Sequence, residues 1–168
     1  MNNEDYWKIY GAQKEWIKFA DTKAIAFIAI IGVLFNFIYK INDQINCLSN
    51  TNILKLTYFL SIALLSISLI LSVCCLIPRT SETNPKDKNI IYYKAVNDNF
   101  KNETEYYNAV IKVKNFEEQI NIQNYQLAKV ATKKYLIVKW SLRLFKFGFI
   151  AILIFTILIT FGVSFHVL

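Results

Sequence analysis

Apolar residues are gathered into three blocks along the chain instead of being spread at helix or strand spacing. Ala24 to Tyr39 carries no charge, and Asn36 is its only strongly polar member. Leu56 to Pro78 runs uncharged between Lys55 and Arg79, and Phe147 to Leu168 holds only His166 as a titratable group. A helix crossing roughly 30 Å of hydrocarbon needs about 20 mostly apolar residues at 1.5 Å each. The second and third blocks, with 23 and 22 residues, meet that outright. The first has 16 and meets it only if the preceding Phe19-Ala20-Asp21-Thr22-Lys23 is partly drawn in, with the long Lys23 stem reaching back to the headgroups. A buried core helix is the competing reading and is weakest for the second and third blocks. A cleaved signal peptide fits the first block poorly, because four acids stand against three lysines before it and no small-residue cleavage site precedes Asn36. The pattern predicts spans at about residues 22–39, 56–78 and 147–167.

Between the blocks the chain reads as helical. After Arg79, Thr80 to Asn89 has turn chemistry, with Pro85 preceded by Asn84. From Asn89 to Lys146 there is neither proline nor glycine, and a stretch rich in Lys, Glu, Gln and Ala is expected to be helix. Tyr106, Val110, Val113 and Ile120 form a stripe, with Phe116 beside it, that continues through Leu127, Val130 or Ala131, and Lys134. Spacings of three and four mark one buried helix face. With no glycine before Phe147, this helix is expected to run straight into the third span. The amino-terminal stretch gives a loosely amphipathic helix, with Trp7, Tyr10, Lys14 and Ile17 on one side. Trp16 and Phe19 suit the membrane interface. The predicted fold class is an all-α membrane protein, a single helical domain over residues 1–168. Its first and third transmembrane helices extend into the cytoplasm, over about residues 1–21 and 80–146, and a short helix near Ile90 to Asn99 packs beside them.

Composition agrees with this and charge orients it. Hydrophobic residues make up 55% and charged residues 18%, above the apolar share of about 45–50% in soluble domains. Arg79 to Lys146 holds thirteen basic residues, the Lys40 to Lys55 loop two, and Met1 to Lys23 four. Basic flanks stay inside, so the amino terminus and the long loop are expected in the cytoplasm, and the carboxyl terminus outside. The net charge of +7 is mostly this topology signal. Acids such as Glu117 and Glu118 dilute the basics, and no zinc-finger or ribonucleoprotein motif accompanies them, so no nucleic acid is expected as a partner. Cys74 and Cys75 lie within a span while Cys47 stands alone outside, which assigns neither a disulfide nor a metal site.

Chemistry-bearing motifs are scarce. His166 is the only histidine. Gly11, Gly32, Gly148 and Gly162 are scattered singly, so no phosphate loop is formed. Glu117 and Glu118 point about 100° apart on a helix, which suits a solvated face better than an acid–base pair. The sequence assigns no enzyme activity, no catalytic residue and no cofactor.

Several stretches together resemble a known family. They are Trp16-Ile17-Lys18-Phe19-Ala20-Asp21-Thr22-Lys23-Ala24 before a span and Cys75-Leu76-Ile77-Pro78-Arg79-Thr80 at the end of another. With them come Ile90-Ile91-Tyr92-Tyr93-Lys94-Ala95-Val96 and the helix from Glu117 through Gln119 and Lys134-Tyr135 to Leu142. The chain resembles the transmembrane effectors of Pycsar, the bacterial antiphage system built on pyrimidine cyclases, from about Trp7 to Phe161. The resemblance implies an effector that impairs the bacterial inner membrane, causing abortive infection, when a neighbouring cyclase makes cyclic CMP or cyclic UMP. It implies as partners the lipid bilayer, further copies of the chain as a homo-oligomer, and that cyclic nucleotide. The chain lacks an obvious cyclic-nucleotide-binding barrel, so a messenger site would have to come from its helices.

One constellation gathers the candidate binding or switch residues. With the amino terminus inside, Asp21 at the start of the first span and Arg79 at the end of the second share the cytoplasmic edge. Lys23 sits there too, and Lys129, Lys133 and Lys134 approach that level on the last helix. A carboxylate at the edge of hydrocarbon calls for a partner. Three readings stay open: a structural clamp between helix ends, a switch whose ion pairs an anionic ligand rearranges, and simple interfacial solvation. Two function classes remain as well. One is a nucleotide-triggered defence effector. The other is a constitutive channel subunit or scaffold that assembles through its cytoplasmic helices. Ser61, Ser66, Ser68 and Ser72 in the second block suit helix packing better than pore lining.

Overall fold

The computed structural model describes residues 3–47, 52–78, 90–113 and 116–166. These form five helices, α1 (Asn3–Cys47), α2 (Asn52–Leu76), α3 (Tyr93–Asn99), α4 (Glu103–Lys112) and α5 (Phe116–His166), and the described residues contain no strand. Three segments, Glu4–Ile41, Asn52–Leu76 and Phe116–Thr160, are long and apolar enough to cross a bilayer. At 1.5 Å per residue α1 and α5 are about 68 and 77 Å long, more than twice what the hydrocarbon requires. The expected continuity of the last helix into the third span is present, since α5 runs unbroken from Phe116. Helix α2 stops at Leu76, two residues before Pro78, because the residue preceding a proline is pushed out of the α region.

A short helix forms where one was expected near Ile90 to Asn99, as α3, but the stretch after it is not one continuous helix. The chain breaks twice, at Phe100–Asn102 and at Val113, into α3, α4 and α5. The first break is made by side chains that compete with the helix ladder. Asn102 has extended backbone and its side chain accepts from the Glu105 N–H at 2.8 Å. The Glu105 carboxylate reaches back to accept from the Lys101 N–H at 3.1 Å. This pair, a capping box shifted by one residue, starts α4. Helix α4 then ends in Val110-Ile111-Lys112-Val113, three of them β-branched. Val113 leaves the helix at φ −69°, ψ 111°, as low-propensity branched residues allow. The proposed stripe is thereby cut: Tyr106 and Val110 lie on α4, Ile120 on α5. Its α5 part is real, with Ile120, Ala131 and Lys134 buried.

The chain divides into two compact units, residues 1–19 with 78–134, and residues 20–77 with 135–168. In the first unit, Trp7 stacks edge-on against Tyr10 and tilts against Phe116 of α5. The Asn124 amide donates to the Tyr6 carbonyl at 3.2 Å, tying α1 to α5. Trp16 and Phe19 are exposed, while Tyr10, Gln13 and Ile17 are half-buried. The packed face of α1 is thus turned away from Trp16 and Phe19.

The second unit holds the apolar blocks and is built inside out relative to a soluble bundle. Large residues such as Ile25, Val33, Phe59 and Ile70 are exposed, and the buried positions are rich in Ala, Ser and Cys. That inversion is the signature of helices whose outer solvent is lipid. Ala20, Ala24, Cys75 and Val138 form one cluster, and Ile31, Ile38, Leu65 and Ile152 another. Helices α2 and α5 run antiparallel, with Ser72 against Ser141, Leu65 against Gly148 and Tyr58 against Phe155. Some hydroxyls return to their own backbone, as Thr57 does to Ile53 and Leu54 and Thr160 does to Thr156, which satisfies those donors in lipid.

Candidate functional site

The motif around Asp21 is a packing device with a carboxylate at its centre. Ala20 and Ala24, one helical turn apart on α1, are both 0% exposed. Their lack of bulk is what admits Cys75 of α2 and Val138 of α5. Asp21 between them is half-buried, and the Cys75 thiol donates to its Oδ1 at 4.0 Å, a long sulfur contact. Asp21 therefore sits beside the last turn of α2. Lys23 is exposed. Arg79, the expected partner of Asp21, lies outside the described residues.

The lysines of α5 separate from one another. Lys129 and Lys133, four residues apart, share one exposed face, whereas Lys134 is buried. The Lys129 ammonium lies 4.4 Å from the centre of the Tyr125 ring, a cation–π contact that holds it against its own helix. Lys129, Lys133 and Lys134 belong to the first compact unit, and Asp21 and Lys23 to the second.

Two further clusters escaped the sequence reading. In the first unit, the backbone of Ile90 is held from both sides. Its N–H donates to Gln119 Oε1 at 3.1 Å, and its carbonyl accepts from the Tyr106 hydroxyl at 3.0 Å. Gln123 and Asn124 are buried on the same stretch of α5, and Asn124 Oδ1 accepts no hydrogen bond among the described residues. The polar residues at 119, 123 and 124 recur at helix spacing, a signal that attention to apolar stripes passes over.

In the second unit, Ser68, Ser72 and Ser141 form a fully buried hydroxyl cluster. Ser141 Oγ lies 3.0 Å from Ser68 Oγ and 2.7 Å from Ser72 Oγ. Ser68 Oγ and Ser141 Oγ also lie within donating distance of the other's carbonyl, at 2.9 and 3.0 Å, so each single hydroxyl proton chooses among these acceptors. Ser68 and Ser72 of α2 are therefore packing residues, and Ser141 is the partner that the sequence did not reveal. Among the described residues no three His, Cys, Asp or Glu side chains come together to hold a metal.

Three long apolar helices with small, hydroxyl-rich buried positions define a helical membrane protein. The Pycsar effector protein domain matches residues 5–161. The chain belongs to that family, and is an antiphage defence effector. The Pycsar effector protein SaPycTM of Staphylococcus aureus is 34% identical over 146 residues, covering 83% of this chain and 85% of that protein. No solved structure matches the chain.

Proposed function

We propose that this protein impairs the bacterial inner membrane on a cyclic pyrimidine nucleotide signal, cyclic CMP or cyclic UMP, and so aborts infection. It acts without catalysis, with its amino terminus in the cytoplasm and its carboxyl terminus outside. The observation that carries this reading is the extent of the family match, which runs through both compact units and all three apolar helices. The messenger is a cyclic phosphate monoanion, and the exposure of the cations Lys129 and Lys133 on one face of α5 supports a binding role for them. Asp21, Lys23, Arg79 and Lys134 belong to the same proposed binding or switching group. Three spans in one chain enclose too little room for water, so the impairment is the work of a homo-oligomer.

The test is co-expression with a pyrimidine cyclase. An active cyclase is expected to collapse the membrane potential within the time that it accumulates nucleotide, and a cyclase with its catalytic acids removed is not. Equal depolarisation with both would identify a constitutive channel subunit. Chemical turnover of the nucleotide by the purified protein would remove the reading.

A further inference from the structure

The three spans of the second unit do not agree about where the middle of the bilayer lies. The charge-free block of α1 is centred near Ile31 and that of α2 near Ile67. Ile31 shares a core cluster with Leu65, so these two helices place the midplane at nearly one level. Gly148 of α5 lies at that level, since a side chain on it would meet Leu65 and Leu64. Yet the charge-free block of α5 only begins at Phe147. The helix is displaced by about ten residues, roughly 15 Å at 1.5 Å per residue.

This displacement carries charge into the hydrocarbon. Lys146 lies about 3 Å, and Arg143 about 8 Å, from the level of Gly148 along the helix, against a hydrocarbon half-thickness of about 15 Å. Lys139 falls near its edge. The offset cannot relax by sliding, because the Ser68, Ser72 and Ser141 hydroxyls lock α5 against α2 in this register. Centring the bilayer on the apolar block of α5 instead would bring Lys55 to its middle and draw Lys40 inward. That arrangement buries as many charges and strands the apolar end of α2 in water.

Lys139, Arg143 and Lys146 recur at spacings of four and three, so they share one face of α5, and all three are exposed. The opposite face, with Val138, Ser141 and Gly148, is the one packed on α1 and α2. Arg143 stacks its guanidinium 4.9 Å from the Trp140 ring, and that ring is itself exposed. Ionised side chains within spans face a water-filled cavity or a partner, and rings of Arg and Lys select anions.

We propose that Lys139, Arg143 and Lys146 line a hydrated, anion-selective path completed by further copies of this chain, which bring their α5 faces together. A single three-helix unit leaves this face open to lipid. Identical helices arranged around a common axis would turn each cationic ridge toward water and small anions. The proposal rests on the self-association in the proposed function but not on its nucleotide signal.

The first test therefore needs no signal. In full-length protein with Cys47, Cys74 and Cys75 replaced by serine, Lys146→Cys and Ile67→Cys are compared in phosphatidylglycerol–phosphatidylethanolamine vesicles. The helix register puts both at one depth, and Ile67 is exposed on α2. A negatively charged, membrane-impermeant methanethiosulfonate is expected to modify Lys146→Cys at least tenfold faster. Equal rates, fast or slow, overturn the proposal. A flexible bis-maleimide should link Lys146→Cys into dimers and larger species. Fast modification without linkage assigns the ridge to a locally thinned bilayer and overturns the role of other copies. In planar bilayers under a KCl gradient, the leak should reverse near the chloride potential, and Arg143→Gln with Lys146→Gln should abolish that preference. A cation-preferring leak, or a preference unchanged in the double variant, also overturns it. Failure of cyclic UMP to elicit a leak, with the thiol pattern intact, would count against the signal alone.

Discussion

Gly148 and Gly32 are both helical glycines in apolar surroundings, yet their neighbourhoods demand opposite outcomes from the same substitution. A methyl group on Gly148 would come to 3.0 Å from Leu65 Cγ and Cδ2 and 3.3 Å from Leu64 Cβ, whereas nothing lies within 4 Å of one on Gly32. Overpacking of this kind costs about 1–3 kcal/mol. Replacing an exposed helical glycine with alanine returns up to about 1 kcal/mol. Gly148→Ala is expected to lower the melting temperature of the detergent-solubilised protein, and Gly32→Ala to leave it unchanged or raise it. Asp21 carries the second prediction at this scale. It touches Cys75, in the last turn of α2, and Arg79 follows that helix end by three residues. Breaking a well-buried pair costs about 3–5 kcal/mol and an exposed one is worth about 0–1, so a pair at a membrane edge falls between. In a double-mutant cycle on membrane accumulation, Asp21→Ala with Arg79→Ala should be no worse than either change alone. Additive effects would give Asp21 a different partner.

At the scale of elements, the distribution of basic residues makes a claim about sidedness that labelling can decide. The cluster between Arg79 and Lys146 should hold α3, α4 and the start of α5 in the cytoplasm. A cysteine placed at Asn46, near the end of α1, is expected to react with an impermeant maleimide in intact cells. One at Asn108, exposed on α4, should react only after lysis. The reverse pattern would invert every span at once. The breaks around α4 show the limit of counting prolines and glycines. Asn102 begins α4 by accepting a hydrogen bond from the Glu105 N–H, three residues after α3 has ended at Asn99. Asparagine serves as a cap as readily as it sits on a helix surface, so the signal is visible in the sequence but its use is not.

At the scale of the whole molecule, the oligomer is the quantity that separates a pore from a single-chain perturbation. The outer surface of the second unit is mostly large aliphatic and aromatic side chains, with exceptions such as Lys139, Arg143 and Lys146. Such a surface is satisfied by lipid and does not by itself demand a second copy. The proposed self-association therefore depends on the polar exceptions. Purified in mild detergent, the protein is expected to give a particle of several chains by light scattering coupled to size exclusion. A strictly monomeric particle, with and without cyclic UMP, would count against a conduit.

Hydropathy alone marked three helices long and apolar enough to cross a bilayer, and the all-helical class, because uncharged runs of this length have few stable alternatives to a helix in lipid. The family, too, was legible in local strings, among them Ala20-Asp21-Thr22-Lys23-Ala24, whose two alanines prove to be the places where helices meet. Relative depth was not legible. Each apolar block reports its own best position in a bilayer, and for α5 that position begins at Phe147. The height at which α5 packs is set by Ser141 meeting Ser68 and Ser72, and by Gly148 meeting Leu65. These pairings join residues some 70 to 80 positions apart. Short-range hydroxyl and steric contacts fix that register. Hydropathy sums over a helix without regard to what stands beside it, and so only the tertiary structure could bring Arg143 and Lys146 to the depth of the apolar blocks of α1 and α2.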